Sequence, residues 1–338
     1  MKHNKYFSIG FENDKFIFLD QTKLPFKEEY IKTDSVERIA LAIERLEVRG
    51  APAIGITAAY ALALSLKNVP KKLLVDNFTK AYERLSSTRP TAVNLFSALD
   101  YIRRIFQDNI NSNELYELLI QQAKLLQQED IEKCDRIGIN GLKIFQKKSI
   151  VLTHCNTGKL ATAGDGTAFS VIKKGFEKGL VNYVYADETR PLLQGSRLTA
   201  FELDKCNIPF AILSDSMAAF LMQQNKVDLV ITGADRIALN GDTANKIGTY
   251  NLAVLCNYHN IPFYIAAPTT TIDEKLPTGN DIKIEFRDKK ELTIINGNPI
   301  TLDRYDSVTP AFDVTPSYLI KGIITEENLY FFPYNFIR

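Results

Sequence analysis

Hydrophobic and polar positions follow three successive rhythms along the chain. In residues 6–11 and 15–19 they alternate, on either side of Glu12-Asn13-Asp14. Period-two runs around turn residues predict a β hairpin. From Asp34 to about Phe145 the period becomes helical: Val36, Ile39 and Ile43 share a face, and apolar-periodic blocks continue through residues 73–85, 92–105 and 115–126. After Lys147-Lys148, short apolar runs at residues 150–153, 183–186, 210–213, 229–232 and 263–267 alternate with helical stretches. That alternation predicts a parallel sheet wound by helices. The chain is therefore expected to be α/β, with a mainly helical domain over residues 1–145 and a parallel-sheet domain over 146–338.

Composition adds limits. A chain of 338 residues, 45% hydrophobic and 24% charged, can bury a sizeable core in one large or two ordinary domains. Lys and Arg number 41 against 40 Asp and Glu, so no chain-wide field attracts nucleic acid or an anionic membrane. The basic residues 1–5 lead straight into the alternating segment, with no apolar signal-peptide core. The apolar stretch at 51–66 is broken by Gly55, Thr57 and Tyr60 and falls short of the roughly 20 residues of a membrane span. A cytoplasmic location is expected, with no membrane or nucleic-acid partner. Cys134, Cys155, Cys206 and Cys256 form no Cys-x-x-Cys pair, which argues against a zinc site and a disulfide framework.

The candidate chemistry clusters after the apolar runs, and in open α/β sheets ligands sit at the carboxyl ends of strands. His154-Cys155-Asn156 follows the first run of the second half. A thiol between a strand and a following helix can be held as thiolate by the helix N-terminus or kept protonated by an apolar wall; His154 reads as structural. The segment from Asp187 to Arg197 follows the next run and mixes charges of both signs, and Asp215-Ser216-Met217 reads as a helix N-cap. Asp235 comes directly after the run at 229–232. A carboxyl among apolar neighbours there has a raised pKa and suits a general acid. Asn245 and Lys246 are expected on the first turn of a helix carrying Ile247, Tyr250 and Val254, where they can bind a phosphate or sugar hydroxyls. In the first half, Arg49-Gly50-Ala51-Pro52 opens an apolar helix, whose free backbone donors and Arg49 can clamp a phosphate; Arg89, ahead of Pro90, follows the same logic. Gly164-Asp165-Gly166 imitates part of a dinucleotide fingerprint. It lies some ten residues beyond the strand and has Phe169 at the third glycine position, so NAD is not the expected cofactor.

Taken together, Arg49-Gly50-Ala51-Pro52, Arg89-Pro90-Thr91, the run from Thr153 to Gly158, Pro191-Leu192-Leu193-Gln194-Gly195, the run from Gly233 to Ala238, the run from Ala244 to Thr249 and that from Ala311 to Pro316 closely resemble the 5-methylthioribose-1-phosphate isomerase family. The likeness covers residues 36–325. It implies a homodimeric, cofactor-free, metal-free aldose-ketose isomerase with a Rossmann-like C-terminal domain, acting on a small phosphorylated sugar in methionine salvage. By position in the motifs, Asp235 would be the proton donor and Cys155 the second catalytic residue. Arg49, Gly50, Ala51, Arg89, Gln194, Asn245 and Lys246 would hold the substrate. The chain departs from the family pattern at Asp165, where an aromatic is usual, at Ser216, where an asparagine is usual, and at Ser307-Val308-Thr309. The alternatives are an isomerase of ribose 1,5-bisphosphate or 5-deoxyribose 1-phosphate, and a non-catalytic regulatory subunit of the same superfamily.

Overall fold

A computed structural model describes residues 6–89 and 92–336. The chain divides into two units. One comprises residues up to Lys133 together with Gly158–Gly166, and the other Cys134–Thr157 together with the residues from Thr167 on.

The first unit opens with β1 (Ile9–Glu12), β2 (Lys15–Leu19) and β3 (Tyr30–Thr33), an antiparallel sheet in that order. The expected hairpin thus gains a third strand, whose four residues include none that is fully buried and so carry no apolar alternation. Five helices follow: α1 (Val36–Glu44), α2 (Ala51–Leu64), α3 (Leu74–Ser86), α4 (Val93–Asp108) and α5 (Leu115–Gly141), whose residues from Cys134 on belong to the second unit. Ser35 caps α1, its hydroxyl accepting from the Arg38 amide at 3.2 Å. Every residue of α2 from Ala53 to Leu64 is buried, so this all-apolar helix is the centre around which the others pack. Phe16, Phe18, Ile39, Ile43, Leu85, Leu95 and Leu99 share its core. Helix α5 runs fifteen residues past the block at 115–126, because the polar stretch after it is rich in good helix formers and still buries Cys134 and Ile137.

The second unit contains β4 (Ser149–Thr153), β5 (Val181–Asp187), β6 (Phe210–Leu213), β7 (Leu229–Thr232), β8 (Arg236–Ala238), β9 (Thr243–Lys246), β10 (Phe263–Ala266), β11 (Ile272–Asp273), β12 (Ile294–Ile295), β13 (Asn298–Pro299), β14 (Phe312–Thr315), β15 (Gly322–Ile324) and β16 (Leu329–Phe331). Its helices are α6 (Ala168–Glu177), α7 (Ala200–Lys205), α8 (Ala218–Gln223), α9 (Thr249–Tyr258) and α10 (Lys290–Thr293). The main sheet has the order β16-β15-β10-β7-β4-β5-β6, parallel except for β16. Each of the five apolar runs expected as strands lies in it. Successive residues of its strands face opposite layers: Val151, Val184, Leu229 and Ile231 pack with α6, and Leu152, Val230 and Ile265 with α8 and α9. A smaller sheet, β11-β8-β9-β14, is built from the chain leaving β7.

Candidate active site

The sheet order sets the loops that carry Cys155 and Asp235 on neighbouring strands, though eighty positions separate the two residues in the chain. Strands β4 and β7 are parallel neighbours, with Val151 opposite Leu229 and Leu152 opposite Val230. Thr153 Oγ1 donates to the Ile231 carbonyl at 2.8 Å, extending the tie by one step. Parallel strands lie about 4.8 Å apart, so the loops that leave them, one starting at His154 and the other at Gly233, emerge side by side. The contact is close: a Cβ on Gly233 would stand 2.6 Å from Thr157 Cγ2. Asp235 donates its own amide to the Ala244 carbonyl at 2.9 Å, which ties the loop to β9 and its Asn245 and Lys246.

Cys155 is buried and has φ +63°, in the left-handed region. Its amide donates to Thr189 Oγ1 at 2.8 Å, and Thr189 is itself left-handed, at φ +66°. Such conformations cost non-glycine residues on the order of 1–3 kcal/mol each and persist only where the surroundings enforce them. No helix starts at Cys155, contrary to expectation: α6 begins at Ala168, and the backbone around the thiol is fixed by side-chain hydroxyls instead.

His154, beside it, is 1% exposed. Its Nε2 lies 2.8 Å from the Ile247 carbonyl, which can only accept, so Nε2 carries a hydrogen. Nδ1 is 3.1 Å from Asp187 Oδ2, and the pair holds one proton between them. Burial drives the Asp187 carboxyl up to about 6, against the lowering effect of His154. At His154 burial opposes the charge, but the hydrogen bond and charge of Asp187 outweigh it and raise the value. Asp187 is thus a buried partner of His154. Its Oδ1 has no hydrogen-bond partner among the described residues. Asp215 does not cap its own helix, as expected from sequence; its carboxylate accepts from the amides of Thr189 and Arg190 at 2.8 and 2.7 Å. His154, Asp187 and Asp215 offer ligand atoms within 4.8 Å of one another. The proton between His154 and Asp187, together with the two amides on Asp215, accounts for that cluster.

Gln194 is buried, with an Oε1 that has no hydrogen-bond partner among the described residues. Leaving a buried acceptor unpaired costs about 1–3 kcal/mol, and a ligand donor would recover it. Gly195 next to it begins a π-helical turn, Gly195–Thr199, and a Cβ there would stand 1.6 Å from the Asp187 carbonyl oxygen. Only glycine lets the turn sit against β5.

Asn245 and Lys246 lie at the end of β9, not on a helix as the spacing suggested. Helix α9 starts later, at Thr249, because Asp313 on β14 accepts from the amides of Gly248 and Tyr250 at 2.7 and 3.1 Å and fixes its first turn there. Asn245 is buried and donates to Thr249 Oγ1 at 2.9 Å. Lys246 Nζ donates to the Ala311 carbonyl at 3.0 Å and lies 4.5 Å from the centre of the Phe312 ring. The candidate residues Cys155, Gln194 and Asp235 thus follow the carboxyl ends of β4, β5 and β7, and Asn245 and Lys246 end β9 of the smaller sheet. Asp235 is exposed, in contrast to the apolar enclosure expected for it.

The first unit holds the others. Arg49 is half-buried, and Gly50, at φ +87°, is the cap residue preceding α2; a Cβ on it would stand 2.4 Å from the Ala161 carbonyl oxygen. Pro52 falls at the second helical position, after Ala51. Arg89 is half-buried, and Pro90 and Thr91 of its motif lie outside the described residues, as does the basic stretch 1–5. Asp165 pairs with Lys159 at 3.0 Å.

Thr189, Thr199, Asn156 and Glu202 were missed as site components. The available signal was Glu202 on the stretch Leu198 to Leu203, which is otherwise apolar apart from Thr199, since a carboxylate on a buried face needs a partner.

The Initiation factor 2 subunit family matches residues 47–329. A methylthioribose-1-phosphate isomerase of Caldicellulosiruptor saccharolyticus is 48% identical over 99% of this chain and 97% of its own. The crystal structure of 5-methylthioribose 1-phosphate isomerase from Pyrococcus horikoshii superposes with a TM-score of 0.92 at 40% identity, covering 98% of this chain and 97% of the other. That of a protein titled translation initiation factor eIF-2B, subunit delta, from A. fulgidus gives 0.88, again at 40% identity and with the same coverage. On sequence and on fold, the chain belongs to the methylthioribose-1-phosphate isomerase family, within the wider initiation factor 2 subunit family.

Proposed function

We propose that the chain is the aldose-ketose isomerase that converts 5-methylthio-α-D-ribose 1-phosphate to 5-methylthio-D-ribulose 1-phosphate in methionine salvage. The observation that carries the reading is the adjacency of the Cys155 and Asp235 loops on neighbouring strands, in a chain related to named isomerases over nearly its whole length. The 1-phosphate blocks the free aldehyde on which ordinary sugar isomerases begin, so ring opening needs an acid at the ring oxygen. Asp235 delivers that proton as the bond from C1 to the ring oxygen breaks. Cys155 then either removes the C2 proton, with a proton returned to C1, or guides a hydride from C2 to C1, and on either route the C2 hydroxyl loses its proton as it becomes the ketone. The chemistry uses no cofactor. Gln194, Asn245 and Lys246 hold the sugar phosphate, with Arg49, Gly50, Ala51 and Arg89 as further substrate residues.

The same reading makes residues 1–145 a helical domain and 146–338 a Rossmann-like catalytic domain, working in the cytoplasm. It also makes the protein a homodimer. Exposed apolar side chains support this: Tyr250, Val254 and Tyr258 repeat every fourth residue on α9, and Met217 and Phe220 lie at the neighbouring α8. Exposed apolar side chains grouped on neighbouring helices support an association site there.

The A. fulgidus structure favours one rival, a non-catalytic regulatory subunit, since it combines an initiation-factor title with equal identity. Assaying purified protein side by side on methylthioribose 1-phosphate, ribose 1,5-bisphosphate and 5-deoxyribose 1-phosphate separates the readings. Highest kcat/KM on the methylthio sugar is expected; preference for another 1-phosphate would reassign the substrate, and no turnover of any would favour the regulatory subunit.

A further inference from the structure

The backbone of Cys155 is gripped from both sides by hydroxyl groups. Thr189 Oγ1 gives its one hydrogen to the Asp187 carbonyl at 3.0 Å, leaving a lone pair that accepts the Cys155 amide at 2.8 Å. Thr199 Oγ1 donates to the Cys155 carbonyl at 2.6 Å. Asn156 Nδ2 donates to Thr199 Oγ1 at 3.3 Å and to Glu202 Oε2 at 2.5 Å, so the second grip is braced by a carboxylate that is itself fully buried. Thr199 closes the π-helical turn Gly195–Thr199, a rare element that recurs at functional sites. Its hydroxyl bonds another segment's carbonyl rather than the usual one a turn back in its own helix.

We propose that Thr189 and Thr199 are positioning residues of the isomerase, clamping the peptide groups of Cys155 in the left-handed conformation that aims its thiol at the substrate. Cys155 lies two positions past Thr153, the last residue of β4 paired in the ladder. Displacing a reacting group by about 1 Å costs on the order of 10²-fold in rate, and the two hydroxyls restrain the peptide groups on both sides of Cys155. The inference rests on the isomerase reading only for its kinetic arm.

The test compares Thr199→Val and Thr199→Ser, and Thr189→Val and Thr189→Ser, in the full-length protein. Each Val variant is expected to lose about 10–100-fold in kcat with KM within about twofold. Each Ser variant, keeping the hydroxyl, should stay within about threefold of the parent. A Val variant with parental kcat, or a Ser variant as impaired as its Val counterpart, overturns the proposal, and the Ser variants decide it if the Val variants do not fold. A second readout is independent of turnover: the rate of Cys155 alkylation by iodoacetamide, resolved from the other three cysteines by peptide mass spectrometry. The Val variants should alkylate about tenfold faster and the Ser variants at the parental rate; equal rates throughout overturn the clamp. A parent that fails to isomerise methylthioribose 1-phosphate yet shows this alkylation pattern refutes the isomerase reading and leaves the clamp standing.

Discussion

Among single residues, the most consequential placement outside the proposed catalytic pair is that of His154. It reads from sequence as structural, and the structure adds what it holds: the Ile247 carbonyl at the head of α9 on one side and the buried Asp187 on the other. Both groups have folded values above their unfolded ones, near 6.5 for His and 3.9 for Asp. A raised value contributes stability below the unfolded pKa and loses it as pH rises through the folded one. For Asp187 that window runs from about 3.9 to about 6, and for His154 from about 6.5 upward. Past it the imidazole is neutral and a buried carboxylate is left without a counter-charge. Thermal midpoints of the parent and Asp187→Asn measured from pH 5 to pH 9 should therefore show the parent losing ground to the variant as pH rises; a constant difference would contradict the shared proton.

At the scale of elements, the turn between β8 and β9 depends on one carboxylate. Asp242 accepts from Asn240 Nδ2 at 2.8 Å, from the Gly279 amide at 3.0 Å and from the Ser317 amide at 2.8 Å. Burial pushes its pKa up, but these hydrogen bonds outweigh burial and lower it. Asp242→Asn, which cannot accept on both sides, should cost about 1–3 kcal/mol at neutral pH. The sign here is opposite to that of Asp187. The contribution is present above the ordinary carboxylate value near 3.9 and lost as pH falls through the lower native one, so urea unfolding should show the variant's deficit shrinking between pH 6 and pH 2.5. A deficit that grows on acidification would contradict the assignment.

Elements also show what could be read in advance. β4, β7 and β10 in the main sheet were legible because strands buried on both faces appear as short unbroken apolar runs, and the edge strand β6 carries such a run although its Ile212 is exposed. By contrast, β8, β9 and β14 are three or four residues long and carry polar functional groups such as Asn245, Lys246 and Asp313, so their periodicity is masked. The helical spacing of Tyr250 and Val254 was real, but the helix starts at Thr249, three residues after Lys246 and past Ile247, because the signal that sets the start, Asp313, lies sixty-three positions from Tyr250. Cys155 and Asp235 were legible as residues after strands. That their loops leave neighbouring strands was not, since it follows from the sheet order β7-β4-β5, and pairing between distant strands leaves no local trace.

For the molecule as a whole, the homodimer is the reading that solution measurement reaches most easily. No helix among the described residues is long and apolar enough to cross a membrane; Tyr258 and Phe220 are exposed. Light scattering behind size exclusion should give twice the 38.2 kDa chain mass for the parent and a shift toward the single-chain mass for a Phe220→Glu, Tyr258→Glu double variant. A parent at the single-chain mass would contradict the dimer.

The central claim is that Cys155 and Asp235 act as one device on one sugar phosphate, and the most direct test is a kinetic cycle of Cys155→Ser, Asp235→Asn and the double variant on methylthioribose 1-phosphate. Each single change should lower kcat by about 10²–10⁴-fold with little effect on KM. Because groups that serve the same step are not additive, the double variant should be no slower than the slower single. Losses that multiply, or a single variant that keeps most of the parental kcat, would contradict the account.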